Sequence, residues 1–548
     1  MALKGEIIMC GILAVLGKVE KVVAQREARK MSHRGPDEEG IYQSPKDVTL
    51  CHQRLSIVDL HTGHQPLVMP EDVALVHNGE IYNHEQLYKE LDGASGLDRI
   101  SKSDSEIILH LYKALGPAEA IKKLDGVFAF VLTDQGKIFV GRDPIGVKPL
   151  FFGRDELGRM WFASEHKSLQ MVCDTIDEFP PGHYYTQEEG FVEYYQPEYR
   201  QKDYTPASMG EKLHELLEEA VDKRLMSDVP LGVLLSGGLD SSLVASITAR
   251  KLAEQGKKVK SFSVGVDARA YDLVAARKVA EHIGSEHHEI HFSVEEGLVV
   301  LEELIHRLES YDVTTIRSAT PMYIMMKEIA RQGVKVVMSG EGADEIFGGY
   351  MYFNNAPSDQ EFHEETSRRV GLLHTSDVLR ADRATMGAGV EARVPFLDLK
   401  FVEHSMSIKS DLRRPFSGKR IEKWVLRDAF DCKERPYLPE EILWRQKEQF
   451  QDGVGYSWVD GLKEHCERSV TDKEFAQRHA LFPVNTPSTK EAFYFRKIYA
   501  KHFPHHESGR LVKKWIPRWQ EGDLDPSGRA SKHHNMSYHT KEEEVVAV

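Results

Sequence analysis

The run of residues best suited to chemistry is Gly232-Val-Leu-Leu-Ser-Gly-Gly-Leu-Asp-Ser-Ser242. Apolar residues lead into Ser236-Gly237-Gly238, and helical spacing begins near Asp240. Paired glycines remove the side chains that stop backbone N–H groups from converging on an anion, and a helix N-terminus adds partial positive charge. Ser236, Ser241 and Ser242 offer hydroxyl donors. The combination suits a pyrophosphate group, and Asp240 suits the Mg²⁺ that accompanies one. A bare glycine turn capped by Ser and Asp would be the simpler reading. The length of the motif, set between strand and helix, favours the anion site.

A second candidate loop, Ser339-Gly-Glu-Gly-Ala-Asp-Glu-Ile-Phe-Gly-Gly-Tyr350, follows the apolar run Val334–Met338. Ligands of open α/β sheets gather beyond the carboxyl ends of the strands, so this loop is expected beside the first. Glu341 and Asp344 are suited to hold a metal or take a proton. Alone, an acidic glycine-rich loop is more often a solvated turn; beside the first loop the functional reading is stronger. Farther on, Arg445-Gln-Lys-Glu-Gln-Phe-Gln-Asp-Gly-Val-Gly455 supplies Lys447, a point charge able to offset a developing pyrophosphate.

Ser236-Gly-Gly-Leu-Asp-Ser-Ser242 resembles the pyrophosphate loop of the ATP-pyrophosphatase family. It is not a Walker A loop, since no Gly-Lys-Ser/Thr follows the glycines. The resemblance implies attack at the α-phosphorus of ATP, with AMP and PPi as products. With Thr314-Thr-Ile-Arg-Ser-Ala-Thr-Pro321 and Gly389-Val-Glu-Ala-Arg-Val-Pro-Phe-Leu-Asp398, these stretches resemble the synthetase domain of the asparagine synthetase family. By that resemblance Leu235, Val264, Ser339 and Gly340 contact the nucleotide, and Ser236, Gly237, Gly238, Asp240, Ser241 and Ser242 hold the pyrophosphate. Thr314, Thr315 and Arg317 hold aspartate, Glu341 serves formation of β-aspartyl-AMP, and Asp240 and Asp344 ligate Mg²⁺.

Residues from Cys10 to about 190 resemble the N-terminal-nucleophile glutaminase domain of the same family. The matching motifs are Cys10-Gly-Ile, His33-Arg-Gly-Pro-Asp37, Arg54-Leu-Ser-Ile-Val-Asp59, His77-Asn-Gly-Glu-Ile-Tyr-Asn83 and Ser103-Asp-Ser-Glu106. The resemblance makes Cys10 the nucleophile and the α-amine of a chain-terminal cysteine its base, an amine well matched to neutral pH. Asn78 and Gly79 bind the oxyanion. Arg54, with Leu55, Ser56, Ile57 and Val58, takes the glutamine carboxylate, and Glu80 and Asp104 receive its ammonium. His33 is read as structural. Nine residues precede Cys10, so the chain as written gives it no free amine. Translation from Met9 with methionine removal, cleavage of the extension, and a silent glutaminase using free ammonia all remain open. The first is favoured, because the glutamine-binding set is complete.

Two scaffolds must position these residues. Up to about residue 200 the chain shows short apolar runs bounded by Gly, Pro, Asn and Asp, such as Cys10–Leu16, Val73–His77, Gly126–Leu132 and Lys137–Val140. The resemblance makes this an α+β N-terminal-nucleophile amidotransferase domain, with stacked antiparallel sheets and helices. A polar stretch between Gln196 and Ser208 reads as a linker. Beyond it strands and helices alternate, which implies an α/β domain with a parallel sheet. The expected domains are 10–200 and 208–520, and 523–548 is expected to be a disordered tail. A length of 548 residues requires more than one core. The net charge of −15 argues against a general nucleic-acid binder. Five scattered cysteines with no CxxC pair fit a reducing, cytoplasmic setting, and no run is long and apolar enough to span a membrane. Expected partners are L-aspartate, L-glutamine and ATP, and a homodimer is compatible with the reading. The rivals are a related enzyme adenylating another carboxylate, as a β-lactam synthetase does, and a silent scaffold on the same fold.

Overall fold

The computed structural model describes residues 10–35, 37–416, 419–504 and 506–519. Residues 1–9 and the expected tail, 523–548, lie outside them. The N-terminal part holds two six-stranded antiparallel sheets. One is centred on the strands Gly11–Leu16 and Val48–Arg54, the other on Val73–Ile81, Gly126–Asp134 and Lys137–Arg142. Ile12, Ala14, Val48 and Leu50 meet Ala74, Val76, Ala129 and Val131 in the core between the sheets. The alternate residues Leu13 and Val15 pack against Ala24 and Ala28 of the helix Lys21–Arg29. On the far side Leu75, Phe128, Phe130 and Leu132 pack on the helix Ile107–Leu115. Each central strand is thus buried on both faces. That is why the sequence shows unbroken apolar runs there, where a sheet with one wet face shows polar alternation.

The C-terminal part is built on a five-stranded parallel sheet. Its order is Glu286–His291, Lys260–Gly265, Leu231–Leu234, Val336–Met338, Glu391–Arg393. The chain steps outward one way from the central strand, then crosses to its other side. The switch point between Leu231–Leu234 and Val336–Met338 opens a crevice at the carboxyl ends of those strands. Helices cover both faces in two large apolar clusters.

The expected elements are present with shifted ends. The helix after the linker begins earlier than its apolar pattern, at Pro206, because the Thr205 side chain caps it by accepting from the Ser208 N–H. The helix Tyr271–Ile283 stops at Gly284, where φ is 66°. Both edge strands, Glu286–His291 and Glu391–Arg393, escaped the sequence reading. Neither carries an apolar run, since an edge strand is only half covered and the second edge turns its charges toward the N-terminal part.

Candidate functional site

The switch-point crevice is an open cleft. Its floor is made by Leu235, Ser236, Gly238, Asp240 and Ser241 on one side and Ser339, Gly340, Glu341 and Asp344 on the other, with Val264 in the wall. Backbone shape makes this convergence possible. Gly237 has φ of 69°, and a Cβ there would stand 2.5 Å from Ala275 Cβ and Ala276 N. At Gly340 a Cβ would stand 2.6 Å from the Ser241 nitrogen, so only glycine lets the second loop touch the first. The Ser241 hydroxyl lies 3.0 Å from the Ser236 hydroxyl, holding the first loop ahead of the helix Leu239–Glu254.

Charge is concentrated on this floor. Asp240 and Asp344 both pair with the buried ammonium of Lys423, and Lys447 Nζ lies 2.7 Å from the second Asp344 oxygen. Burial acts to raise the pKa of Asp344, but Lys423 and Lys447 outweigh it and hold the group at about 2. Glu341 is pushed up by burial, partly offset by Arg380, whose guanidinium lies 2.8 Å away. Arg445 donates to the Gly237 carbonyl and pairs at 3.1 Å with Asp272, whose own pKa burial raises to about 6. Asp240 keeps one buried carboxylate oxygen without a hydrogen-bond partner among the described residues, and its other oxygen already faces a cation. Two such carboxylates fit the Mg²⁺ that arrives with a nucleotide, which completes its shell with phosphate oxygens and water. No group of three or more His, Cys, Asp or Glu side chains able to hold a metal occurs among the described residues.

The structure moves several expected contacts off the cleft surface. Thr314 lines the cleft, but Thr315 donates to Asp312, the residue that caps the helix Val313–Arg331. Arg317, expected at the aspartate end, is turned into the protein, where Glu491 takes it bidentately at 2.8 and 2.6 Å. Gly237 and Ser242 do not line the cleft, and Ser242 is fully buried. Sequence reasoning missed Lys423, Asp377, Arg380 and Asp272, all of which line the cleft. Asp377 and Arg380 sit one turn apart on the helix Asp377–Met386, the only local signal they carry. Lys423 carries none.

A second, smaller cavity surrounds Cys10. Cys10 precedes the strand Gly11–Leu16, and its thiol donates weakly to the Leu55 carbonyl at 3.8 Å. Burial pushes the thiol up to about 12, so it needs a base to become a nucleophile. Arg54, Leu55, Ile57, Val58, Asn78, Gly79, Glu80 and Asp104 all line this cavity. Ser56 does not; its N–H donates to Asp37. Asn78 is fully buried, with both polar side-chain atoms unpartnered among the described residues, as a preset oxyanion donor would be. At Gly79 φ is 145° and a Cβ would strike the Val127 carbonyl at 2.0 Å. Burial raises Asp104 to about 6 despite the Ile81 N–H donated to it. Glu80 is pushed up by burial and held at 3.0 Å by Arg393 of the C-terminal sheet. His33 pairs with Glu165, away from the cavity lining, and burial holds its pKa at about 3, which fits the structural reading.

A half-buried cysteine at the head of a strand in paired antiparallel sheets, joined to a parallel sheet with a pyrophosphate-type loop, defines an N-terminal-nucleophile amidotransferase domain fused to an ATP-pyrophosphatase domain. Family models agree: residues 9–217 match the glutamine amidotransferase domain, and residues 212–362 and 354–522 match asparagine synthase. The chain is 47% identical over 556 residues to a probable glutamine-hydrolysing asparagine synthetase of Dictyostelium discoideum, covering 96% of this chain and 99% of that one. It is 48% identical over 555 residues to glutamine-hydrolysing asparagine synthetase 1 of Arabidopsis thaliana, covering 95% and 94%. The chain belongs to the glutamine-hydrolysing asparagine synthetase family.

Proposed function

We propose that this protein converts L-aspartate, ATP, L-glutamine and water into L-asparagine, AMP, PPi and L-glutamate. The observation that carries the reading is the pairing of two different sites, a thiol cavity lined by a glutamine-type set and a cleft lined by a pyrophosphate-type set. In the first, Cys10 attacks the glutamine amide carbon. The α-amine of a chain-terminal Cys10 takes the thiol proton and returns it to the departing nitrogen, and water then releases glutamate from the thioester. Asn78 and Gly79 stabilise the oxyanion, Arg54 with residues 55–58 anchors the carboxylate, and Glu80 and Asp104 take the ammonium.

In the second site, the aspartate β-carboxylate attacks the α-phosphorus of ATP and displaces PPi. Ammonia then displaces AMP from the acyl-adenylate. Leu235, Val264, Ser339 and Gly340 hold the nucleotide, and residues 236–242 with Lys447 hold the PPi. Thr314 contacts aspartate, with Thr315 and Arg317 fixing the helix behind it, and Glu341 serves formation of β-aspartyl-AMP. Mg²⁺ at Asp240 and Asp344 would neutralise charge on the leaving pyrophosphate. Ammonia must pass between the domains without meeting bulk water, where it would be protonated. Glu391, from the parallel sheet, lines the Cys10 cavity and shows how closely the two parts are joined.

The domains of this reading are 10–200 and 208–520, and the setting is cytoplasmic. No helix among the described residues is long and apolar enough to cross a membrane. The test is PPi release with each of several carboxylates, with and without glutamine or ammonium. Release that depends on aspartate supports the reading, and release driven by another acid or by none overturns it.

A further inference from the structure

The helix Asp377–Met386 touches both sites. Asp377 and Arg380 line the nucleotide cleft, where Arg380 pairs at 2.8 Å with Glu341. Two residues on, about 200° round the helix, Asp382 faces the other way. There it takes both nitrogens of the Arg34 fork, at 2.8 and 3.0 Å. Arg34 is fully buried and its third nitrogen donates at 3.1 Å to the carbonyl oxygen of Cys10. Neighbouring Arg383 shares Glu165 with Arg34, at 2.8 and 3.0 Å, and reaches Glu309 and the Ser164 carbonyl. Ser164 in turn exchanges hydrogen bonds with Ile12, two residues after the nucleophile.

We infer that Asp382 is a positioning residue for the glutaminase half-reaction, acting across the domain boundary through Arg34 on the Cys10 backbone, with helix Asp377–Met386 tying that position to the nucleotide cleft. The inference rests on the functional reading above. The physical reason is geometric. A bidentate carboxylate–guanidinium pair fixes a plane as well as a distance. With both partners buried, the plane has few other orientations, so the Cys10 carbonyl is held relative to a helix that carries cleft residues at its other end. Arg34 has two anchors, Glu165 inside its own domain and Asp382 outside it. Asp382 joins the helix to Arg34 directly, whereas Glu165 does so only through Arg383. Asp382 lines neither cavity, so it has no contact through which to act directly on either substrate.

The test uses protein whose N-terminus is shown by intact mass to be Cys10, and compares Asp382→Asn, Asp382→Glu and Arg34→Lys with the parent. Asp382→Asn should lower glutaminase kcat about 10-fold while the glutamine KM stays within about twofold, because a displaced nucleophile slows chemistry and leaves binding contacts intact. Ammonium-dependent asparagine formation should stay within about twofold, which also reports that the fold is intact. Asp382→Glu should recover most of the lost kcat, whereas Arg34→Lys, lacking the fork, should resemble Asp382→Asn. Alkylation of the Cys10 peptide by iodoacetamide, followed by mass spectrometry, should be faster in Asp382→Asn than in the parent. Unchanged glutaminase kcat in Asp382→Asn, or an equal fall in both half-reactions, overturns the inference. A parent without glutaminase turnover overturns the functional reading instead, and the alkylation arm then still decides the link: an unchanged rate removes it.

Discussion

Lys447→Ala removes one of the two ammonium groups on Asp344. In the parent the Lys447 nitrogen is 2.7 Å from Asp344 and its side chain is 15% exposed, so the charge acts in a partly desolvated cleft. Two unit charges about 4 Å apart interact by ~4 kcal/mol at an effective dielectric constant of ~20. Lys423 remains beside Asp344 and Arg445 remains beside the glycine loop, so the loss should fall below that figure. A loss of ~3 kcal/mol corresponds to a rate decrease of about 10²-fold, at the lower end of what removing one preorganised electrostatic stabiliser costs. The assay is initial-rate PPi release with aspartate and ammonium at saturating ATP, run beside glutamate release from glutamine. PPi release should collapse while glutamine hydrolysis holds, because Lys447 lines only the nucleotide cleft. Lys447→Arg should retain more activity than Lys447→Ala, since the charge is kept. PPi release by Lys447→Ala within about threefold of the parent would refute the assignment, given the effect that a stabiliser of this kind should have.

Cys10→Ala should abolish glutamine-dependent asparagine formation and spare synthesis from ammonium, and equal loss with both nitrogen sources would sink the division of labour between the cavities. Protein beginning at Cys10 should hydrolyse glutamine, whereas protein retaining residues 1–9 should not, because a peptide nitrogen has no useful basicity. Intact mass must identify each terminus, and normal glutaminase turnover by the uncleaved chain would defeat the amine-base mechanism. Asp104 must be ionised to receive an ammonium, and burial places its pKa at about 6. Its charge is therefore present well above pH 6 and lost as the pH falls through that value. Glutamine kcat/KM should drop toward tenfold per pH unit below about 6, and a profile unchanged by Asp104→Asn would remove Asp104 from that role.

Much of this protein is legible in the chain because its chemistry is local. Ser236–Ser242 is a backbone device: two glycines before a helix N-terminus suit an anion, and that suitability is written in consecutive residues. Cys10, Asn78, Gly79 and Asp104 stand in short motifs, and the structure brings all four to one cavity. The apolar central strands announced themselves because they are buried on both faces. The polar edge strands did not, since their role is set by what lies beside them. Lys423 shows the same limit at the site: its neighbours in sequence give no sign that its ammonium will lie between Asp240 and Asp344. Arg317 shows the converse, a residue whose type suits a carboxylate ligand but whose guanidinium Glu491 claims from 174 positions away. Residue type and spacing determined what chemistry the chain could perform. Which charges face the clefts, and that Arg34 on one domain fixes on Asp382 of the other, only tertiary packing decided, because the energy of a buried charge depends on partners that sequence distance does not reveal.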